Sequence, residues 1–200
     1  MARLPWLVLR STKKAAVASD ACDLGVFDPA ARVTWTWRQP QRFRALWLLH
    51  AGETPVMELE MRGLLGRTAA ARTASRRWHL SATFPGDLVA RPEGEEKPVE
   101  ETQPLLRFRT GWLGGGRIER LAGETLLWRR NDFWSHRFNI QTPEQLPLVH
   151  LLPRHGAFHI RHEGAVELED AARRLPDLDL ILATGWLLTL RAQRSHASHP

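Results

Sequence analysis

The chain has 200 residues, a formal net charge of +6 and a pI of about 10.8, with 25 Arg against 3 Lys, 9 Trp and no Tyr. That length suits one domain, or one domain built of two similar halves, and a hydrophobic content of 43% supplies a real core. The single cysteine, Cys22, excludes an intramolecular disulfide and a thiolate metal cluster, and it points to a reducing compartment.

Leu4 to Arg10 reads as a first strand, and 11–28 as a small, polar loop. The apolar run Leu4 to Leu9 is short for a secretion signal, and its charges mostly follow it. The expectation is a cytoplasmic protein, peripheral to the membrane. Strand patterns then come quickly. Arg32 to Arg38 alternates, with Val33, Trp35 and Trp37 on one face. Arg44 to His50 and Pro55 to Met61 flank Ala51-Gly52-Glu53-Thr54, a hairpin signal. Gly63 to Gly66 is a second turn, followed by strands over Gly66 to Ala74 and Arg76 to Thr83.

Arg91 to Pro104 holds three prolines and five glutamates and reads as a solvated loop. Strands resume at Leu105 to Thr110, with a turn at Gly114-Gly115-Gly116. Arg117 to Leu121 and Thr125 to Arg130 make a hairpin across Ala122-Gly123-Glu124. Trp134 to Thr142 and Pro147 to Pro153 make another. Ala157 to His162 and Ala165 to Glu169 bracket a turn at Glu163-Gly164.

Leu175 to Arg194 is the one convincing helix, and it is apolar all round: Leu178, Ile181, Leu182, Gly185 and Leu188 on one face, with Leu180, Ala183, Trp186, Leu187 and Leu190 on the rest. Such a helix must be surrounded by protein or lipid. Its uncharged run, Leu180 to Leu190, is well short of the roughly 20 residues that span a bilayer, so no transmembrane segment is expected. Asp177 and Asp179 at its start and Arg191 and Arg194 at its end complement the macrodipole of a short enclosed helix. Gly185 in mid-helix suggests close approach of another backbone. Many short strands before one buried helix predict a mainly β fold: a closed antiparallel β-barrel of about twelve strands around a hydrophobic C-terminal α-helix. The division is 1–30 as N-terminal strand and loop, 31–192 as barrel with its central helix at 175–192, and 193–200 as a disordered tail.

Gly114-Gly115-Gly116-Arg117-Ile118, Leu126-Leu127-Trp128-Arg129-Arg130, Phe133-Trp134, Leu148-Val149, Gly164 to Glu169 and Leu178 to Leu190 carry a family resemblance. Over about 31–192 the chain resembles the superfamily of tubby C-terminal domains, plant LURP-one-related proteins and phospholipid scramblases, and most nearly its small bacterial members. The resemblance implies a barrel around a C-terminal helix and work at a membrane surface, since tubby domains bind phosphoinositide head groups and scramblases act on membranes. No segment matches the tubby head-group motif, and with Cys22 alone the scramblases' cysteine-rich palmitoylation segment is absent.

No catalytic constellation emerges. Cys22 lies among small residues, no G-x-S-x-G elbow occurs, and the triple glycine lacks the lysine and following helix of a phosphate loop. His150, His155, His159 and His162 form the best metal set, but a strand over Ala157 to His162 sends His159 and His162 to opposite faces. Neither metal nor cofactor is expected. The arginines carry more. Arg107 and Arg109 share one strand face opposite Leu106 and Phe108, and Arg129 and Arg130 add further basic positions. Arginine forks suit phosphate oxygens, so the favoured reading is a non-catalytic module engaging anionic phospholipid at a membrane surface. The alternative is an arginine-rich barrel binding nucleic acid, with Trp112 stacking on a base. A third reading is a metalloenzyme using the histidines. Ligand identity and oligomeric state stay open.

Overall fold

The computed structural model describes residues 23–41, 44–63, 67–83, 86–94, 103–111, 115–131, 137–155 and 162–197. Twelve antiparallel strands close into one barrel. They are β1 (Trp35–Arg38), β2 (Leu46–Ala51), β3 (Thr54–Arg62), β4 (Thr68–Thr73), β5 (Arg77–Ala82) and β6 (Leu88–Pro92), then β7 (Leu106–Thr110), β8 (Gly116–Arg120), β9 (Gly123–Arg130), β10 (Phe138–Gln141), β11 (Pro147–His155) and β12 (His162–Leu168). Each strand pairs with its sequence neighbours, and β1 pairs with β12, with Trp35 opposite Val166 and Trp37 opposite Gly164. Closure leaves no sheet edge to template aggregation.

The alternation read in the sequence sets the inside of the wall. Trp35 and Trp37 on β1, Trp47 and Leu49 on β2, and Leu106 and Phe108 on β7 are buried. On β4 the inward residues are small, Ala69 and Ala71, and they register with the large Leu80 and Trp78 of β5. Small against large lets the layers interdigitate. Val33 is the exception to the expected face: it precedes β1 and is 43% exposed.

Helix α1 (Leu178–Ala197) fills the interior. Every residue from Asp177 to Leu190 is buried, as an all-apolar helix requires. Gly185 does permit a close approach, but of side chains rather than backbone: a Cβ there would stand 2.8 Å from Ile140 Cδ1 and 3.1 Å from Leu151 Cδ1. The helix runs on to Ala197, past the expected boundary at 192 and into the stretch read as a tail. Among the described residues no helix is long and apolar enough to cross a membrane.

The helix entrance is held by ion pairs. Arg120 grips Asp177, with Nε to Oδ2 at 2.8 Å and Nη2 to Oδ1 as the second prong. Arg76 reaches Asp179 at 3.4 Å and donates to the Pro176 carbonyl at 3.1 Å. The segment before β1 is tied here as well: Arg173 Nη1 donates to the carbonyls of Pro29 and Ala31, both at 2.8 Å. Phe27 packs on Trp35 with ring centroids 5.4 Å apart.

Two further expectations fail. β6 lies partly in the stretch read as solvated loop, and its Arg91-Pro92 end pairs with Trp78 and His79 of β5. Glu163-Gly164 is not a turn: both belong to β12, paired with Arg154 and Pro153. The expected first strand at Leu4 to Arg10 lies outside the described residues.

Candidate anion-binding surface

The arginines divide into two populations on the outside of the barrel. On β3 and β4 they are neutralised. Arg72 meets Glu58 at 2.7 Å, Arg62 meets Glu60 at 3.1 Å and Glu93 at 3.2 Å, and Arg44 lies 3.8 Å from Glu60. Burial lowers the Arg62 pKa, but Glu60 and Glu93 together carry it above the ordinary guanidinium value. The cleft of about 250 Å³ among these side chains is lined by both signs of charge.

Over β7 to β9 the balance is different. Phe108 and Leu106 turn inward, so Arg107 and Arg109 turn outward. Hairpin register sets Arg107 opposite Glu119 and Arg109 opposite Arg117. Glu119 leans diagonally to Arg109, 2.8 Å from its Nε. On β9, Leu126 and Trp128 face the core, so Leu127 and Arg129 face out, with Leu127 opposite Arg117. Arg107, Arg117 and Arg129 meet no acid among the described residues. Like charges directly opposite on a sheet are destabilising, and Glu119 offsets this for Arg109 but not for Arg117.

These side chains surround a cleft of about 410 Å³, bounded by Gly111, Gly115, Gly116 and Leu127 with Arg117, Arg129 and Arg130. The glycines are there for the backbone. The Gly111 N–H donates to the Gly115 carbonyl at 2.7 Å, and a Cβ on Gly116 would collide with the Arg109 carbonyl and the Phe108 ring. Gly111, Gly115 and Gly116 thus let the β7–β8 backbone pack closely, and they line the cleft without side chains of their own. Guanidinium forks beside them suit a phosphate or carboxylate bidentately.

All four candidate arginines fall in this region. Arg107 is half-buried, Arg109 and Arg129 are exposed, and Arg130 is half-buried in the inward phase at the end of β9. Arg117 was missed. Its signal was available: it is the strand partner of Arg109 once the glycines are taken as the hairpin turn. Trp112 lies outside the described residues, as do Cys22 and His159. His150 Nδ1 donates to Asn139 Oδ1 at 2.8 Å, and its Nε2 lies 3.5 Å from Glu169. His162 begins β12 in register with His155 of β11, rather than ending an earlier strand. Among the described residues no cluster of three or more His, Cys, Asp or Glu is placed to hold a metal ion. Trp47 and Trp78, unplaced by the sequence, are core residues at 1% and 3% exposure.

Fold and surface together define a closed β-barrel whose core is its own helix, with Arg107, Arg117 and Arg129 on its outer wall meeting no acid among the described residues. Comparison with protein-family models, with curated proteins and with solved structures gives no match.

Proposed function

We propose that this protein is a non-catalytic binding module of tubby and LURP-one type that engages anionic phospholipid at the cytoplasmic face of a membrane. The observation that carries the reading is the contrast between the two arginine populations. The interior is filled by α1, which leaves the outer wall for a ligand. On that wall Arg107, Arg117 and Arg129 meet no acid among the described residues, while Arg62 of β3 and Arg72 of β4 do. Basic residues near an anionic bilayer contribute about 1 kcal/mol each, so Arg117→Ala/Arg129→Ala should lower vesicle partition about 30-fold at low salt.

The test is co-sedimentation with vesicles of phosphatidylcholine, with and without phosphatidylserine. Wild type should bind only the anionic vesicles, and binding should weaken with salt. Arg107→Ala/Arg109→Ala and Arg117→Ala/Arg129→Ala should each weaken it, and Arg62→Ala should not. Negligible binding to anionic vesicles beside tight binding to single-stranded nucleic acid, lost in Trp112→Ala, would sink the lipid reading in favour of the nucleic-acid one.

A further inference from the structure

Strand register sets one outward residue from each of four consecutive strands in a row across the wall: Arg129 of β9, Asn139 of β10, His150 of β11 and Glu167 of β12. All four alternate with core residues, among them Trp128, Ile140, Val149 and Val166. Neighbouring strands lie about 4.8 Å apart, which puts the backbones of Arg129 and His150 about 10 Å from each other. One strand therefore separates the arginine surface from a histidine.

Both ring nitrogens of His150 meet acceptors. Nδ1 donates to Asn139 Oδ1 at 2.8 Å, and Asn139 is turned that way by its own Nδ2, which donates to Asn131 Oδ1. Nε2 lies 3.5 Å from Glu169 Oε1, where the link from β12 to α1 begins. A neutral imidazole has one N–H and an imidazolium has two, so only the charged ring can donate on both sides. Among the described residues the charged groups around it are Glu167 and Glu169 from the β12 side and, diagonally across β10, Arg137. Two residues away on β11 itself, Leu148 and Leu152 carry no charge.

We propose that His150 is a proton sensor for the arginine surface and strengthens its hold on anionic phospholipid as pH falls. This rests on the lipid reading above and adds its regulation. Histidine is the side chain that gains its charge between pH 8 and pH 5. With His150 neutral, Glu167 and Glu169 repel the same bilayer that Arg129 attracts. With His150 charged, Glu169 has a cationic partner and the wall gains one positive charge. That charge stands about 10 Å from Arg129, one Debye length at 0.1 M salt, so both act on one lipid surface.

The test is partition to vesicles of phosphatidylcholine and phosphatidylserine at about pH 7.5 and about pH 5.5, at one ionic strength. On acidification the gain of wild type should exceed that of His150→Gln by about five-fold, the effect of one added basic charge near the surface. His150→Lys, charged at both pH values, should bind tightly at both. Glu169→Gln should raise binding at the higher pH. Circular dichroism shows that each variant is folded. A wild-type pH response in His150→Gln or His150→Lys assigns that response to other groups and overturns the sensor. Wild-type binding that does not change with pH overturns it as well, and both outcomes leave the lipid reading standing. No vesicle binding by wild type at either pH removes the lipid reading and the sensor together.

Discussion

Trp186 of the central helix lies flat on Trp37 of the wall, ring centroids 5.7 Å apart and planes within 6°. The space for that ring is a missing side chain: Gly164, the strand partner of Trp37, would place a Cβ 2.5 Å from Trp186 Cη2 and 2.7 Å from Cζ3. Gly164→Ala should therefore overpack the core and cost about 1–3 kcal/mol. Trp186→Leu in the same chain should recover part of that loss. Urea midpoints of the two single variants and the double close the cycle, and strict additivity would show that the ring and the glycine are not coupled.

The ion pair at the helix entrance is a second site of strong coupling. The Arg120 side chain is 2% exposed and that of Asp177 is 12%. Asp177→Ala leaves a buried guanidinium without its partner and should cost about 3–5 kcal/mol. Arg120→Met/Asp177→Leu should be far closer to wild type, because an apolar pair removes both charges at once. A double variant as unstable as Asp177→Ala would mean that the pair, and not the orphaned charge, holds the entrance.

Asp179 gives the fold a pH dependence of definite sign. Burial raises its pKa above the ordinary carboxylate value; Arg76 and the Leu180 N–H pull it down, and Asp177 pushes it up. A folded-state pKa above the unfolded one means the native state holds the proton more tightly. The stability from this group is present below an ordinary carboxylate pKa of about 3.9 and is lost as pH rises through the folded value. The melting temperature of wild type relative to Asp179→Asn should thus fall as pH rises above about 4. Parallel curves for the two proteins would contradict it.

Leu182 is fully buried in the second turn of α1. Leu182→Asp should prevent folding, since an unpaired charge there costs several kcal/mol. Leu182→Met, which conserves volume, should cost less than about 1.5 kcal/mol. Circular dichroism melts distinguish the two, and a folded Leu182→Asp protein with unchanged melting temperature would refute an enclosed helix.

The architecture was legible because its signals are local. Trp35 and Trp37 alternate with threonine and arginine, Gly52 with φ of 64° marks the β2–β3 turn, and Leu178 to Leu190 has no polar face. β6 was hidden because Leu88-Val89-Ala90 is too short to show a period and runs into a proline- and glutamate-rich stretch. Gly164 read as a turn because a glycine's local meaning is flexibility, whereas its cause here is a tryptophan from the far end of the sequence. The candidate surface was half legible for the same reason. Strand alternation put Arg107 and Arg109 outside, but whether an arginine finds a glutamate depends on which strand lies beside it. Arg72 and Arg129 look alike in sequence, and only the register gives Glu58 to one and leaves the other without an acid.

The pairing of β1 with β12 also orders events in time. Chains emerge N-terminus first, so the ring of strands cannot close until Leu168 has been made, and the core arrives later still, with Leu178–Ala197. Through most of synthesis Trp35, Trp37 and Trp47 have neither a closed wall nor a helix to pack against. Partners so distant in sequence also make folding slow. The growing chain is for that whole interval a set of apolar strands with unpaired edges, which is the form of protein that holding chaperones recognise.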